Sequence, residues 1–141
     1  MWIQTHSKVY QGVSKEAIWQ IWTDVNNWAA WHDDLDYCKM EGSFEVENYF
    51  MLKPKGMGPF KITLTEVIPG KKFTDCTQFF GAKMYDTHEL KETPEGLRLI
   101  STMKVTGPLQ YLWVMLVAKN VFNDTEAQND ALVKCARSAH E

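Results

Sequence analysis

The middle of the chain, residues 35–106, consists of short runs of β-branched and aromatic residues that alternate with turn signals. Such runs, bounded by glycine, proline and small polar residues, are typical of strands joined by hairpins. The turn signals are Glu41-Gly42, Lys55–Gly58, Pro69-Gly70, Gly81 and Pro94–Gly96. This spacing predicts an antiparallel meander of about six strands.

A further strand and two short helices are predicted before the meander. The segment Trp2–Gln11 alternates in a strand-like way, and Gly12 ends it. Ser14 is a good helix N-cap, and a run of apolar residues at helical spacing follows it. Asn26-Asn27 interrupts that run, and residues 28–31 favour a second short helix at an angle to the first.

A long C-terminal helix is predicted after Gly107-Pro108, because proline is pre-organised for the first helical position. It should run from Pro108 toward Ala139. Its first half, residues 111–118, is apolar on all sides, which predicts burial on most sides. The second half carries an apolar stripe that includes Thr125 and Gln128. Two polar residues on an inward stripe indicate a helix that faces a partly wet cavity.

The order of elements is strand, two short helices, a run of strands and a long helix. Strands and helices segregated in this way predict the α+β class. The expected architecture is a curved antiparallel sheet of about seven strands around the long C-terminal helix. With 141 residues, 45% of them hydrophobic, the chain is long enough for one domain with a full core. We therefore expect residues 1–141 to form a single domain.

Composition excludes several classes of function. A net charge of −3 argues against nucleic acid as a partner, because phosphate binding needs a concentrated basic face. The three cysteines form no C-x-x-C pair, and the histidines show no metal-binding spacing, so neither a metal nor another cofactor is expected.

The cysteines, the start of the chain and its apolar runs together indicate the cellular location of the protein. An odd number of dispersed cysteines fits a reducing compartment, and the start of the chain lacks a signal-peptide pattern. The longest uncharged apolar run, residues 108–118, is too short to span a bilayer. Together these features predict a cytoplasmic protein without a transmembrane segment.

Four polar side chains are predicted to face the helix from the sheet. Strand alternation, with the apolar side chains inward, carries Asp75, Asp86, His88 and Ser101 to the inner face. A tight turn at residues 80–82 would place Asp75 opposite His88. The turn after Thr93 would place His88 opposite Ser101. The prediction is one cross-strand row of Asp75, His88 and Ser101.

Three chemical interpretations of this row remain open. It is a polar patch that orients a ligand in an apolar pocket, or His88 acts with Asp75 or Asp86 as a general acid/base pair. An Asp–His–Ser hydrolase is the weakest interpretation, because neither an oxyanion hole nor a G-x-S-x-G elbow is evident. A different possibility is an interaction protein that works through residues 111–118, which would require that stretch to be exposed.

Several segments resemble the SRPBCC superfamily, the helix-grip group that includes START domains and birch-pollen-allergen-like proteins. The resemblance is carried by the element order, by Asp24–Trp31, by Leu52–Gly56, and by the stretch from Thr87–Leu90 to Gly107–Leu109. Polyketide cyclase/dehydrase-like proteins are the most similar group. The resemblance implies an apolar ligand, such as a lipid, an isoprenoid or an aromatic metabolite, held between the sheet and the long helix. Alternatively, it implies a polyketide cyclase or dehydratase that uses His88 with Asp75 or Asp86.

The expected ligand-binding residues combine these arguments. They come from the second short helix, the sheet and the long helix. The set is Trp28, Trp31, Phe60, Asp75, Phe79, Asp86, His88, Ser101, Met103, Leu116, Thr125 and Gln128. Binding of a hydrophobic small molecule is favoured over catalysis, and the oligomeric state stays open.

Overall fold

Seven antiparallel strands form one sheet that curves around a C-terminal helix, in a computed structural model that describes residues 1–138. This confirms the predicted α+β class, the strand count and the order of elements. The strands are β1 (Trp2–Tyr10), β2 (Leu35–Met40), β3 (Tyr49–Pro54), β4 (Phe60–Ile68), β5 (Lys72–Phe79), β6 (Ala82–Thr93) and β7 (Gly96–Thr106).

Two short helices follow β1, as predicted. They are α1 (Lys15–Thr23) and a 3-10 helix (Val25–Ala30). The side chain of Ser14 caps α1 by accepting a hydrogen bond from the Ala17 backbone N–H at 3.1 Å. The indole N–H of Trp28 donates to backbone carbonyls at the end of α1, with both N···O distances 3.2 Å. This bond fixes the angle at which the 3-10 helix leaves α1.

The C-terminal helix is built from four consecutive segments. They are α2 (Gln110–Trp113), a π-helical segment (Val114–Ala118), α3 (Lys119–Asn123) and α4 (Thr125–Ser138). We refer to them together as the C-terminal helix. It begins two residues after the predicted start at Pro108, and Ala139 lies outside the described residues.

The strand order across the sheet is β1-β7-β6-β5-β4-β3-β2, so β1 pairs with the last strand and every other pair is a hairpin. Within β7, residues 97–105 alternate strictly between buried and partly or fully exposed side chains. The buried set faces the helices, which is the arrangement that the sequence alternation predicts. No helix within residues 1–138 is long and apolar enough to cross a membrane.

Two glycines fix the start of the C-terminal helix against the β5–β6 turn. Both have positive φ angles, 74° at Gly81 and 108° at Gly107. A Cβ atom on Gly107 would lie 2.5 Å from the carbonyl oxygen of Gly81, and one on Gly81 would lie 2.7 Å from the Leu109 side chain. The Leu109 N–H in turn donates to the Gly81 carbonyl at 2.9 Å. Only glycine permits this approach.

The buried apolar residues form two separate clusters. The larger packs α1, the 3-10 helix and α4 against the sheet, around Phe50, Phe73 and Ile18. The smaller lies between β6, β7 and the π-helical segment, around Met103 and Val105. The core is therefore divided, and the space between the two clusters is not filled by side chains.

Candidate ligand-binding site

A cavity of about 420 Å³ lies between the sheet and the C-terminal helix and is lined by members of both apolar clusters. This volume falls within the usual range for small-molecule sites. Its walls are mostly apolar, and aromatic rings supply a large part of them. These rings belong to Trp22, Trp28, Trp31, Phe50, Phe60, Phe73 and Phe79.

The cavity reaches the surface between the 3-10 helix, the β3–β4 hairpin and the C-terminal helix. Asp34, Met57 and Asn120 line the cavity and are themselves exposed, so they mark its mouth. Asp124 lies beside Asp34, and burial together with the Asp34 carboxyl raises the pKa of Asp124. The mouth therefore carries two neighbouring carboxyl groups.

Three titratable side chains line the inner part of the cavity from β5 and β6. Asp75 and Asp86 lie directly opposite each other across the two strands. The Nε2 atom of His88 lies 3.4 Å from Oδ2 of Asp86, which makes these two an ion pair when the imidazole is protonated. Asp75 is only 7% exposed, and no hydrogen bond from residues 1–138 reaches its carboxyl group. Asp86 therefore has a partner, whereas Asp75 does not.

The proton affinities of these groups follow from burial and from their mutual charges. Burial and the neighbouring Asp86 raise the pKa of Asp75 to about 8, although His88 opposes the shift. Burial lowers the pKa of His88, but the charges of Asp86 and Asp75 and the hydrogen bond to Asp86 outweigh it, so the net shift is upward. Asp75 is thus held largely protonated near neutral pH when the cavity contains no cation.

The imidazole of His88 is fixed between aromatic rings. It stacks on Phe73 with a centroid distance of 4.8 Å and an interplanar angle of 30°, and Trp22 lies 5.8 Å away. Its Nδ1 atom is buried and has no hydrogen-bond partner within the described part of the chain. The ring is therefore held in place mainly by packing and by Asp86, and its Nδ1 atom is left buried without a partner among the described residues.

The predicted row of Asp75, His88 and Ser101 is wrong in its first member. The β5–β6 connection is a two-residue turn, with Phe79 paired to Ala82, and it shifts the register by two residues from the predicted one. Asp75 consequently faces Asp86, and Phe73 takes the position opposite His88. The second half of the prediction is confirmed, because His88 does pair with Ser101.

Ser101 contributes to the packing between sheet and helix rather than to the cavity wall. It is buried, and its Oγ accepts a hydrogen bond from Nδ2 of Asn129 on α4 at 3.3 Å. Met103 is buried within the smaller apolar cluster. Thr125 is buried too, and its hydroxyl donates to the Val121 carbonyl at 3.5 Å. These three side chains, predicted to bind the ligand, do not line the cavity.

The remaining predicted residues divide between the cavity wall and the surface. Trp28, Trp31, Phe60, Phe79 and Gln128 line the cavity, as do Asp75, Asp86 and His88. Leu116 does not line the cavity and is 56% exposed. The predicted burial of residues 111–118 on most sides is wrong, because Tyr111, Leu112 and Met115 are also exposed.

Sequence reasoning missed several cavity residues. Val117 and Val121 supply the helix side of the wall where Leu116 was expected. Asn129 lies four residues after Thr125 and three before Leu132, so helical spacing alone was a sufficient signal for it. Trp31 Nε1 and His32 Nδ1, near the mouth, are buried atoms without a hydrogen-bond partner among residues 1–138. No local sequence signal indicated these two atoms.

The sequence matches no family model and no curated protein. Among solved structures, a hypothetical protein (jhp0584) of Helicobacter pylori is 13% identical with a TM-score of 0.76, over 96% of this chain and 88% of that one. Norcoclaurine synthase of Thalictrum flavum, solved with dopamine and hydroxybenzaldehyde, is 13% identical with a TM-score of 0.73, over 95% and 85%. Ara h 8.0201 is 9% identical with a TM-score of 0.74, over 97% and 99%. At these identities the likeness shows the fold, which is the helix-grip fold.

Proposed function

We propose that this protein binds a largely apolar small molecule in the cavity between the sheet and the C-terminal helix. The observation that carries the proposal is the cavity of about 420 Å³ with aromatic walls, which divides the core. A void of this kind costs stability, because side chains around it lose packing contacts. An aromatic or isoprenoid ligand would restore those contacts. The ligand complex of the Thalictrum flavum synthase is compatible with such a use of the fold.

Two tryptophan substitutions on the C-terminal helix test this proposal. Val121 lines the cavity, whereas Leu116, five residues earlier on the same helix, is exposed. We expect Val121→Trp to lower the affinity for naphthylethanol, a neutral aromatic probe, by a factor of about ten or more, which is about 1.4 kcal/mol. Leu116→Trp should leave the affinity unchanged. Isothermal titration calorimetry gives both affinities, and a thermal melt shows that each variant is folded.

Equal effects of the two substitutions would contradict the proposal, and so would the absence of probe binding to the unmodified protein. Native mass spectrometry of freshly purified protein adds an independent measurement. A bound apolar molecule that is lost on denaturation is the expected result. The two experiments together separate a cavity site from binding to the exposed face of the helix.

A second candidate function is general acid/base catalysis, such as the cyclisation or dehydration of an aromatic polyketide. The observation that favours it is the His88–Asp86 pair inside the cavity, with the protonated Asp75 opposite Asp86. General acid/base groups typically contribute a factor of about 100 to 10,000 to a rate. If this function holds, His88→Gln should slow turnover of a polyketide mimic by at least about 100-fold. Substrate depletion that is unchanged in the variant would leave ligand binding as the function.

A further inference from the structure

The polar lining of the cavity is biased toward negative charge. Among the described residues that line it, four are aspartates and none is lysine or arginine. They are Asp34, Asp75, Asp86 and Asp124. The histidines of the lining are His32 and His88, and His88 is already paired with Asp86. The cavity thus offers hydrogen-bond acceptors but no lysine or arginine for a carboxylate or a phosphate, and its imidazole of raised pKa, His88, is already paired with Asp86.

Asp75 is a buried residue whose carboxyl group lacks a hydrogen-bond partner among the described residues. This residue is 7% exposed and lines the cavity, and its carboxyl group receives no hydrogen bond from residues 1–138. Buried charged groups are normally paired or hydrogen-bonded, and an unsatisfied one is costly. The opposing Asp86 is paired with His88 instead, and its negative charge disfavours ionisation of Asp75. A donor from a ligand would satisfy Asp75, and a cationic donor would also return it to the ionised state.

The polar groups at the two ends of the cavity both favour a cationic ligand. At the mouth, Asp34 and Asp124 produce a negative potential that attracts cations toward the opening. At the inner end, the unpaired Asp75 provides a site for a charge-assisted hydrogen bond. The aromatic walls between them suit the apolar body of a ligand, and their ring faces also favour a cation.

We propose that the cavity selects apolar molecules that carry a protonated amine, and that the amine binds the carboxyl group of Asp75. This inference rests on the proposed function, because it assigns the ligand class of the same cavity. Fatty acids and other anionic amphiphiles would be rejected, since they would place a carboxylate among the four aspartates. A neutral alcohol would bind through the apolar walls alone and with a weaker hydrogen bond.

Three probes that share one aromatic body and differ in the head group test the inference. They are naphthylethylamine, naphthylethanol and naphthylacetate, measured by calorimetry with the intact protein at about pH 7, where the amine is protonated. We expect the amine to bind at least about tenfold more tightly than the alcohol, in line with a hydrogen bond to a charged group, and the acid to bind most weakly. Asp75→Asn should reduce the affinity for the amine by about 10- to 100-fold and change that for the alcohol by less than about threefold.

Asp33→Asn is the matched control, because it makes the same change of side chain at an exposed residue that does not line the cavity. It should leave all three affinities unchanged. If the alcohol binds but the amine binds no more tightly, the amine inference is wrong and the proposed function stands. If the acid binds best, or if Asp75→Asn affects the alcohol as much as the amine, the inference is also wrong. If none of the probes binds, the proposed function fails with it.

Discussion

At the scale of single residues, Asp75 is the position where stability conflicts with the proposed binding. Its carboxyl group is buried beside Asp86, which raises its pKa to about 8. Folding without a ligand therefore requires that Asp75 keep its proton. An apolar or amide side chain would be less costly there, so the acid is best explained by a ligand that it binds.

This conflict has a measurable pH dependence. The pKa of Asp75 is higher in the folded chain than in the unfolded chain, whose ordinary value is 3.8, so the folded state binds the proton more tightly. The resulting stabilisation is present below about pH 4 and is lost as the pH rises to about 8. The raised pKa of His88 acts in the same direction, with stability lost above its ordinary value of 6.5.

We expect Asp75→Asn to become more stable relative to the unmodified protein as the pH rises. Asparagine cannot ionise, so the variant keeps the stability that Asp75 loses. The gain in the free energy of unfolding should be larger at pH 9 than at pH 5 by at least about 1 kcal/mol, corresponding to one pKa unit or less of the shift. Urea denaturation at both values measures it. A difference that is constant or decreases with pH would contradict the assigned state of Asp75.

At the scale of elements, the sequence predicts periodicity well and register poorly. The inward direction of Asp75, Asp86 and His88 follows from strand alternation, and their positions on the cavity wall confirm it. Which residues face each other depends on the length of a turn. Gly81 permits a two-residue turn, and this one detail places Asp86 opposite Asp75. The preference of glycine for turns is visible in the sequence, but the number of residues in the turn is not.

The C-terminal helix shows a second limit of the same kind. A stretch that is apolar on all sides, such as residues 111–118, indicates burial only if other elements surround it. Here one face packs on the smaller apolar cluster through Val114 and Ala118, while Met115 and Leu116 are exposed. The backbone contact between Gly81 and Gly107 fixes where the helix starts. Such a contact between distant parts of the chain has no local sequence signal.

At the scale of the whole molecule, the divided core connects the fold to the proposed function. The order of strands and helices was enough to predict a helix held by a curved sheet. The cavity could not be predicted from that order alone, because it depends on how completely side chains from β4 to β6 and from the C-terminal helix fill the space between them. Its aromatic walls and the inner carboxyl groups of Asp75 and Asp86 could be anticipated from the sequence, but the pair at its mouth, Asp34 and Asp124, could not.

The exposed apolar face at Tyr111, Leu112, Met115 and Leu116 offers an alternative place for an apolar molecule to bind. A binding assay that does not locate the ligand would detect binding at this face and in the cavity alike. The central claim, that the cavity is the binding site, is therefore best tested by locating the ligand.

The most direct measurement is an NMR titration of the isotope-labelled protein with naphthylethanol, followed by intermolecular NOEs. We expect NOEs from the naphthyl ring to the side chains of Phe79, Met84 and Val121, which line the cavity. The largest amide shift changes should lie in β5, β6 and the helix around Val121. NOEs confined to Met115 and Leu116, with no change at Met84, would contradict the account.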